Sequence, residues 1–279
     1  MTTDKDLGTL TGPVLIFGGS YSNLQATQAL YQEAQRLAIP PQRVVCSGDT
    51  VAYCAEPQAT VDLIRDWGIP VVQGNCEQSF GDGAPDCGCG FDEGSACSLL
   101  SVDWYRFTRH HLDEASCRWM AALPSTLSFK LAGRRFVVVH GGVCQNNRFI
   151  FGSSPVADVE QELAQTDADI VIAGHCGLPF WRRLDHRFWL NSGVVGMPAN
   201  DASRDGWYLV LSPLKDAIEC SWHRLHYDAD SASEKMREAG LSTEYAHALR
   251  TGLWPSTDVL PELETSQQGI RLSVSPLVI

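Results

Sequence analysis

Short apolar runs recur along the chain, and each is bounded by glycine or proline. Such runs are too short for helices and predict buried strands. They occupy residues 14–17, 43–46, 70–72, 135–139 and 170–173. Between them, apolar residues at helical spacing predict helices over 23–38, 60–67, 115–122 and 156–164. Ser22 is the expected N-cap of the first helix. This alternation predicts an α/β domain with a largely parallel sheet in its first half.

From residue 126 onward, strands follow one another with fewer long helices between them. The predicted strands here are 126–131, 136–139, 188–190, 207–212 and 218–224. They indicate a second, partly antiparallel sheet packed on the first. The stretch 79–98 is rich in Gly, Asp and Cys, which predicts an insertion or long loop. We expect a main domain over 1–230 and a C-terminal helical segment and tail over 231–279.

Polar side chains follow four of the predicted strands where each strand leaves its sheet. These residues are Asp49, Asn75, His140 and His175, each beside a glycine. The carboxyl ends of strands in an open α/β sheet converge on one crevice, so the four side chains are expected to meet. Taken singly, an Asp there is often a turn former and a His is often a core residue. Together they form a mixed O/N donor set that suits Zn, Mn or Fe rather than Ca.

The charge balance narrows the classes of partner. The 279 residues include 33 acidic and 21 basic side chains, a net charge of -12, which opposes general binding to nucleic acid or anionic membranes. A small anionic ligand in a local pocket stays compatible with this charge. The first residues lack a basic start and an apolar core, and no apolar run approaches the ~20 residues of a membrane span. We therefore expect a cytoplasmic protein that does not bind membranes.

The ten cysteines raise a separate question. In a reducing compartment they are expected to be thiols or metal ligands. Cys87, Cys89 and Cys97 lie close together in the Gly/Asp-rich stretch, which suits a thiolate site for a second metal with a fourth ligand from elsewhere. Their spacing is not a standard zinc spacing, and the alternative is that they are small buried residues.

The strand-end segments also occur in an order that resembles the calcineurin-like metallophosphoesterases, in particular the small bacterial branch of phosphodiesterases and diadenosine-tetraphosphatase-like proteins. The matching segments are 19–23, 48–49, 74–77, 140–141, 174–177 and 191–198. The resemblance covers roughly residues 13 to 225. It implies an α/β fold, a four-layer αββα sandwich of two mixed β-sheets flanked by helices. It also implies a hydrolase acting on a phosphomonoester or phosphodiester, with nucleotides among the candidate substrates.

The resemblance implies one intact metal site. Asp49, Asn75, His140 and His175 match the ligands of the family's second site. One divalent transition metal, Mn, Zn or Fe, is therefore expected as the cofactor. Asp49 and His140 are also expected to take part in catalysis.

The first metal site of the family is not matched in the same way. Gly19 stands where the family has an Asp, and Tyr21 and Gly177 stand where it has His. Cys76 replaces the His that protonates the leaving group or steadies the phosphate, so Cys76 is a candidate proton donor. With one cation and without that imidazole, we expect weak or specialised hydrolysis.

Candidate phosphate contacts come from three residues. Asn75 would contact phosphate from within the metal site. Asn23 opens a predicted helix whose backbone N–H groups, with those of Gly18 and Gly19, offer an anion cradle. Arg148, in the loop after His140, carries a fork of donors suited to phosphate, although a surface role is the alternative.

Two other function classes stay open beside a hydrolase of small phosphorylated substrates. One is a non-catalytic or regulatory protein that binds a phosphate or nucleotide on the same fold. The other is a cysteine-centred metal or redox protein.

Overall fold

The computed structural model describes residues 4–279. Within this range the chain forms eleven strands and nine α-helices. The strands are β1 Asp4–Leu10, β2 Val14–Phe17, β3 Val44–Cys46, β4 Thr126–Leu131, β5 Arg134–Val138, β6 Ile170–Ala173, β7 Phe180–Leu184, β8 Arg187–Asn191, β9 Gly206–Pro213, β10 Ile218–Leu225 and β11 Leu277–Val278. The helices are α1 Leu24–Arg36, α2 Pro57–Trp67, α3 Asn75–Asp82, α4 Ala96–His111, α5 Glu114–Ala121, α6 Val156–Leu163, α7 Ala229–Glu238, α8 Thr243–Thr251 and α9 Glu262–Ser266.

The strands form two mixed sheets. The six-stranded sheet has the order β1-β4-β5-β6-β8-β7, and the five-stranded sheet has the order β11-β10-β9-β2-β3. In the first, β5, β6 and β8 are parallel while β4 is antiparallel to β5. In the second, β2 is parallel to β3 and antiparallel to β9. The predicted sandwich of two mixed sheets flanked by helices is confirmed.

The four layers follow from the two-residue period of the strands. Val14 and Ile16 of β2 face the other sheet and pack in one core with residues such as Phe136 and Ile170. The alternate residue Leu15 faces the other way and packs beneath α1 and α2. On the outer face of the six-stranded sheet, α6 covers a smaller core. Because both faces of these strands are buried, they appear in the sequence as continuous apolar runs.

The sequence led us to expect that the first half of the chain builds one sheet and the second half builds the other. In the structure, both sheets contain strands from early and late parts of the chain. The early strand β2 pairs with the late strand β9, and the N-terminal β1 pairs in parallel with β4. Strand β1 was not predicted, because it is mostly exposed at the sheet edge and has no apolar run. The run 70–72 is not a strand, and only a single bridge joins Val71 to Cys46.

Local differences concern helix ends and the predicted insertion. Asn23, rather than Ser22, caps α1, since its side chain accepts the N–H of Ala26. The stretch 79–98 is not one loop: α3 runs into its beginning and α4 starts before its end.

The C-terminal segment 231–279 packs against the rest of the chain. Helices α7 and α8 contribute Met236, Tyr245 and Leu249 to a core shared with Tyr21 and Trp104. Strand β11 extends the five-stranded sheet by pairing with β10. Among the described residues, no helix has both the length and the apolar character to cross a membrane.

Candidate functional site

The four predicted ligands meet where strands of both sheets end, beside the start of α3. Asp49 lies after β3, His140 after β5 and His175 after β6, while Asn75 opens α3. His140 Nε2 lies 2.9 Å from Asn75 Oδ1, 2.9 Å from His175 Nδ1 and 3.3 Å from Asp49 Oδ2. All four side chains are buried.

The hydrogen bonds of His140 show that this cluster fits a cation. Its Nδ1 lies 2.8 Å from the carbonyl oxygen of Ser47, which can only accept, so Nδ1 carries a proton. In the neutral imidazole, the Nε2 lone pair then faces a carboxylate oxygen, an amide oxygen and an imidazole nitrogen. Such a convergence of lone pairs is stable only around a proton or a metal ion. The backbone carbonyl on the far nitrogen is also the usual way a metal-binding His is oriented.

The donor atoms of Asp49, His140 and His175 lie within 4.8 Å of one another. Among residues 4–279, this is the one cluster of three or more His, Cys, Asp or Glu side chains with such spacing. The N/O donor set and the burial are those of a transition-metal site.

The metal-free cluster has strongly perturbed acid–base properties. Burial is the largest influence on the pKa of His140 and lowers it, but the charge and hydrogen bond of Asp49, together with Ser47 and Glu77, raise it above its usual value. Burial and the charge of His140 lower the pKa of His175 to about 3. Burial raises the pKa of Asp49, yet His140 and His175 hold it below its ordinary value. The site therefore favours an ionised Asp49 and a neutral His175, the forms that bind metals.

Glu77 positions this cluster and was not singled out for a role from the sequence. Its buried carboxylate accepts the backbone N–H groups of Asp49, Thr50 and Gly74 at 2.6–2.8 Å, and also the Thr50 hydroxyl. Burial and the charge of Asp49 raise its pKa. Asp49 has φ 58, a left-handed conformation uncommon outside glycine, so this loop needs such support. The signal was the third position of α3, where a Glu commonly caps the preceding N–H groups.

The region of the first metal site is occupied by aromatic side chains. A β-carbon added at Gly19 would lie 2.5 Å from Tyr21 Cζ, because the Tyr21 ring covers residue 19. Burial and the charge of Asp49 raise the pKa of Tyr21 well above its ordinary value, which keeps the phenol neutral and a poor metal ligand. Gly177 faces the indole of Trp254, whose atoms would lie 3.5 Å from a β-carbon there.

Much of the predicted anion cradle at the start of α1 is used for other contacts, because several of its backbone N–H groups already have partners. Gly18 and Gly19 donate to the carbonyl oxygens of residues 193 and 48, and Tyr21 donates to that of Asp49. Asn23 is likewise committed: its Oδ1 caps α1 and its Nδ2 donates to the Gly196 carbonyl. The N–H groups of Gly18, Gly19 and Tyr21 and the side chain of Asn23 therefore stabilise the loop itself.

Arg148 is also held elsewhere. Its guanidinium donates to the buried carboxylate of Glu162 at 2.7 Å and lies 3.4 Å from Asp158. A buried carboxylate requires such a partner. The predicted phosphate contact is thus replaced by an ion pair with α6.

Cys76 lies beneath the metal cluster. Its backbone N–H donates to Asp49 Oδ1, and its buried thiol is within 3.5 Å of Asn75 Nδ2. Burial and the charge of Asp49 raise the thiol pKa well above its ordinary value. The thiol is therefore neutral. It is also absent from the walls of the cavity that lies next to the cluster and is described below.

The predicted three-thiolate site is not formed. Cys87 and Cys89 are joined by a disulfide, so neither offers a thiolate. Cys97 is a separate buried thiol whose hydrogen-bond partners are Ser256 and Val259. The disulfide also departs from the expectation that all ten cysteines are thiols or metal ligands. Asn75 contacts this segment, because its Nδ2 donates to the Cys87 carbonyl and its Oδ1 is thereby turned toward His140.

A cavity of about 80 Å³, partly open to solvent, lies beside the metal cluster. Asp49 and His175 line it, together with Tyr21 and Gly177 from the first-site region. Its other walls come from distant segments, including the C-terminal one, and the sequence patterns did not predict them.

Comparisons with known proteins agree with this architecture. Residues 14–213 match the model of the calcineurin-like phosphoesterase superfamily domain. The chain is 23% identical over 241 residues to the "Uncharacterized protein MJ0912" of Methanocaldococcus jannaschii, covering 80% of this chain and 91% of that one.

Two solved structures share the fold. A metallophosphoesterase from Sphaerobacter thermophilus has a TM-score of 0.68 and 21% identity, covering 88% of this chain and all (100%) of that one. The hypothetical protein PH1004 from Pyrococcus horikoshii has a TM-score of 0.73 and 14% identity, covering 87% and 99%. The family match spans most of the chain and includes all four predicted ligands. The chain therefore belongs to the calcineurin-like phosphoesterase superfamily.

Proposed function

We propose that this protein is a phosphoesterase with one divalent transition metal, which acts on a phosphomonoester or phosphodiester. The observation that carries the proposal is the convergence of Asp49 Oδ2, Asn75 Oδ1, His140 Nε2 and His175 Nδ1 in a buried cluster beside a cavity that is partly open to solvent. Mn, Zn and Fe are the metals that suit this donor set.

These residues would each have a defined part. Asp49, Asn75, His140 and His175 would hold the metal, and Ser47 and Glu77 would orient His140 and Asp49. A divalent cation in this cluster would polarise a phosphoryl oxygen and stabilise its negative charge. Asn75 would also keep its amide N–H directed at Cys87, so its oxygen stays on the metal side.

Hydrolysis is expected to be weak or specialised for two reasons. The Tyr21 ring occupies the space next to Gly19, which leaves no ligands for a second metal there. The Cys76 thiol is buried and neutral with a raised pKa, so it is a poor proton donor to a leaving group. Substrates whose leaving groups depart without protonation are therefore favoured.

The filled first site also favours a second candidate function. A protein that binds a phosphate ester without turning it over needs one cation and a cavity, and it does not need a second metal or a general acid. This candidate and the phosphoesterase differ only in turnover.

The deciding experiment measures metal content and turnover in the purified full-length protein loaded with Mn or Zn. We expect one metal per chain and slow hydrolysis of an aryl phosphate. His140→Ala should lose the metal and any turnover. His186→Ala is the matched control, since His186 forms an exposed pair with Asp185 far from the cluster. Metal binding without turnover would support the binding protein, whereas turnover that survives both His140→Ala and His175→Ala would contradict the site.

A further inference from the structure

Aromatic side chains form a large part of the cavity beside the metal cluster, six of its seventeen lining residues. Six rings contribute to its walls, from Tyr21, Tyr53, Phe91, Phe149, Tyr245 and Trp254. Met197 and Val194 add further apolar surface. Such a surface gains most when it covers a flat apolar group, because ring faces and edges pack favourably against one another.

The cavity has almost no positive charge of its own. None of the described residues that line it is Lys or Arg. Arg148, the nearest candidate along the chain, is paired with Glu162. Asp49 lines the cavity and adds a negative charge. A single divalent cation would therefore have to balance the negative charge of a bound phosphate. A chain of several phosphates would enter with charges that nothing in the cavity neutralises, which is costly in an apolar site.

The rings lie next to the metal cluster. The Phe149 ring packs against the His175 ring with centroids 4.3 Å apart, so one wall of the cavity touches a metal ligand. Trp254 forms another wall and is fixed in place: its indole N–H donates to the Pro198 carbonyl at 2.6 Å, and its backbone N–H donates to Asn200 Oδ1. A group attached directly to a phosphate held at the cluster would therefore lie among these rings.

We propose that the cavity binds the aromatic group of an aryl ester of a single phosphate, with Phe149 and Trp254 determining specificity. This inference rests on the proposed function and names its substrate class. The chemistry of the leaving group agrees with it. A phenol, with a pKa of about 10 as in tyrosine, departs without protonation more readily than an alkyl alcohol does, and the candidate proton donor Cys76 does not line the cavity.

Binding of inert phosphonates tests this class without requiring turnover. The probes are phenylphosphonate, methylphosphonate, adenosine monophosphate and inorganic tripolyphosphate, titrated by calorimetry into the metal-loaded full-length protein. Phenylphosphonate should bind about tenfold or more tightly than methylphosphonate, since burying a phenyl-sized group is worth at least one decade of affinity. Equal affinity of the two, or tighter binding of the nucleotide or tripolyphosphate, would overturn the inference.

Variants test which residues are responsible. Trp254→Leu and Phe149→Leu should each reduce the preference for the phenyl probe over methylphosphonate about fivefold, when the variants are compared at equal metal loading. Trp254→Phe should retain most of the preference, which guards against a folding defect in Trp254→Leu. Trp181→Leu is the matched control: Trp181 is also half-buried and also donates its indole N–H to a carbonyl, that of Ser275.

The two proposals fail in different ways. Metal content, measured separately by elemental analysis, reports on the proposed function. If the wild-type protein bound no metal, both the proposed function and the aryl inference would be overturned. A loaded protein that binds phosphonates without preference for the phenyl group would overturn the aryl inference alone.

Discussion

The ring of Tyr21 covers Gly19, so closely that a β-carbon at residue 19 would lie 2.5 Å from Tyr21 Cζ. The two departures from the family's first metal site are therefore one structural unit. The absence of a side chain at residue 19 leaves room for the ring, which lies where a side chain at residue 19 would begin. Tyr53 packs edge-on against the same ring, with centroids 4.8 Å apart.

This relationship predicts non-additive effects at residues 19 and 21. Gly19→Asp should reduce the free energy of unfolding by about 1–3 kcal/mol, because the new side chain overlaps the Tyr21 ring. In a Tyr21→His background the cost of Gly19→Asp should be smaller, since the imidazole is shorter. Urea unfolding of the four proteins in this cycle measures the coupling.

A matched control separates overlap from backbone strain. Gly19 and Gly68 both have positive φ, 39° and 71°, but nothing lies within 4 Å of a β-carbon at Gly68. Gly68→Asp therefore reports the conformational cost alone. An equal cost in both variants, with no coupling to Tyr21, would contradict the overlap.

Adding Gly177→His to the double variant should raise metal content from one toward two, and activity should follow only if Cys76 is also changed to His.

A second prediction concerns Glu77. Glu77→Gln replaces one carboxylate oxygen with an NH₂ group. Depending on which oxygen is replaced, this donor faces the backbone N–H of Thr50, or those of Asp49 and Gly74. Each amide left without an acceptor should cost about 1–3 kcal/mol of unfolding free energy. Metal affinity should fall as well, because Asp49 loses its support.

Glu33→Gln serves as the control for Glu77→Gln. Glu33 accepts hydrogen bonds from Tyr208 and Arg36 outside the cavity, so this variant should change stability without changing metal affinity. Unaltered metal affinity in Glu77→Gln, measured by competition with a chelator, would exclude a positioning role for Glu77.

The third prediction is the pH dependence of the metal-free protein. The pKa of His175 is about 3 in the folded protein, below the ordinary value of 6.5 that applies when the chain is unfolded. Between these two values the unfolded chain binds the additional proton. Stability that is present above pH 6.5 is therefore lost as the pH falls toward 3, with a slope of at most about 1.4 kcal/mol per pH unit for one proton.

Urea unfolding in the presence of a chelator, repeated from pH 7 to 4, measures this loss. His175→Gln should have a shallower slope in this window. His140 acts in the opposite direction: its raised pKa contributes stability that is lost as the pH rises through that pKa. The same slope in wild type and His175→Gln would mean that His175 accepts its proton in the folded state at its ordinary pKa.

The fourth prediction is a thiol count. Of the ten cysteines, eight are free and Cys87 and Cys89 are paired. Denatured, unreduced protein should therefore react at eight thiols, and at ten after reduction. Cys144, which is exposed, should react first in the native protein. Ten reactive thiols before reduction would show that Cys87 and Cys89 are unpaired and would restore the thiolate site as a candidate.

Much of the fold and of the candidate metal site could be predicted from the sequence, because both depend on local patterns. Strands buried on both faces appear as continuous apolar runs, as in β2 and β6. The polar residue that follows each run is placed at the sheet edge by chain direction alone. Asp49, His140 and His175 were identified in this way, whereas Asn75 follows the run 70–72, which is not a strand. The family resemblance added the expectation of one metal.

What only the tertiary structure decided are the pairings between distant segments. Arg148 pairs with Glu162. The N–H groups of Gly18 and Gly19 donate to carbonyl oxygens of residues distant in the sequence. Trp254 and Asp49, which are also distant in the sequence, line the same cavity. The sheet assignment of β2 and β9 is of the same kind. A sequence pattern specifies which groups need a partner, whereas the packed structure determines which partner each one receives, because buried polar and aromatic groups are satisfied by whatever the fold brings within contact distance.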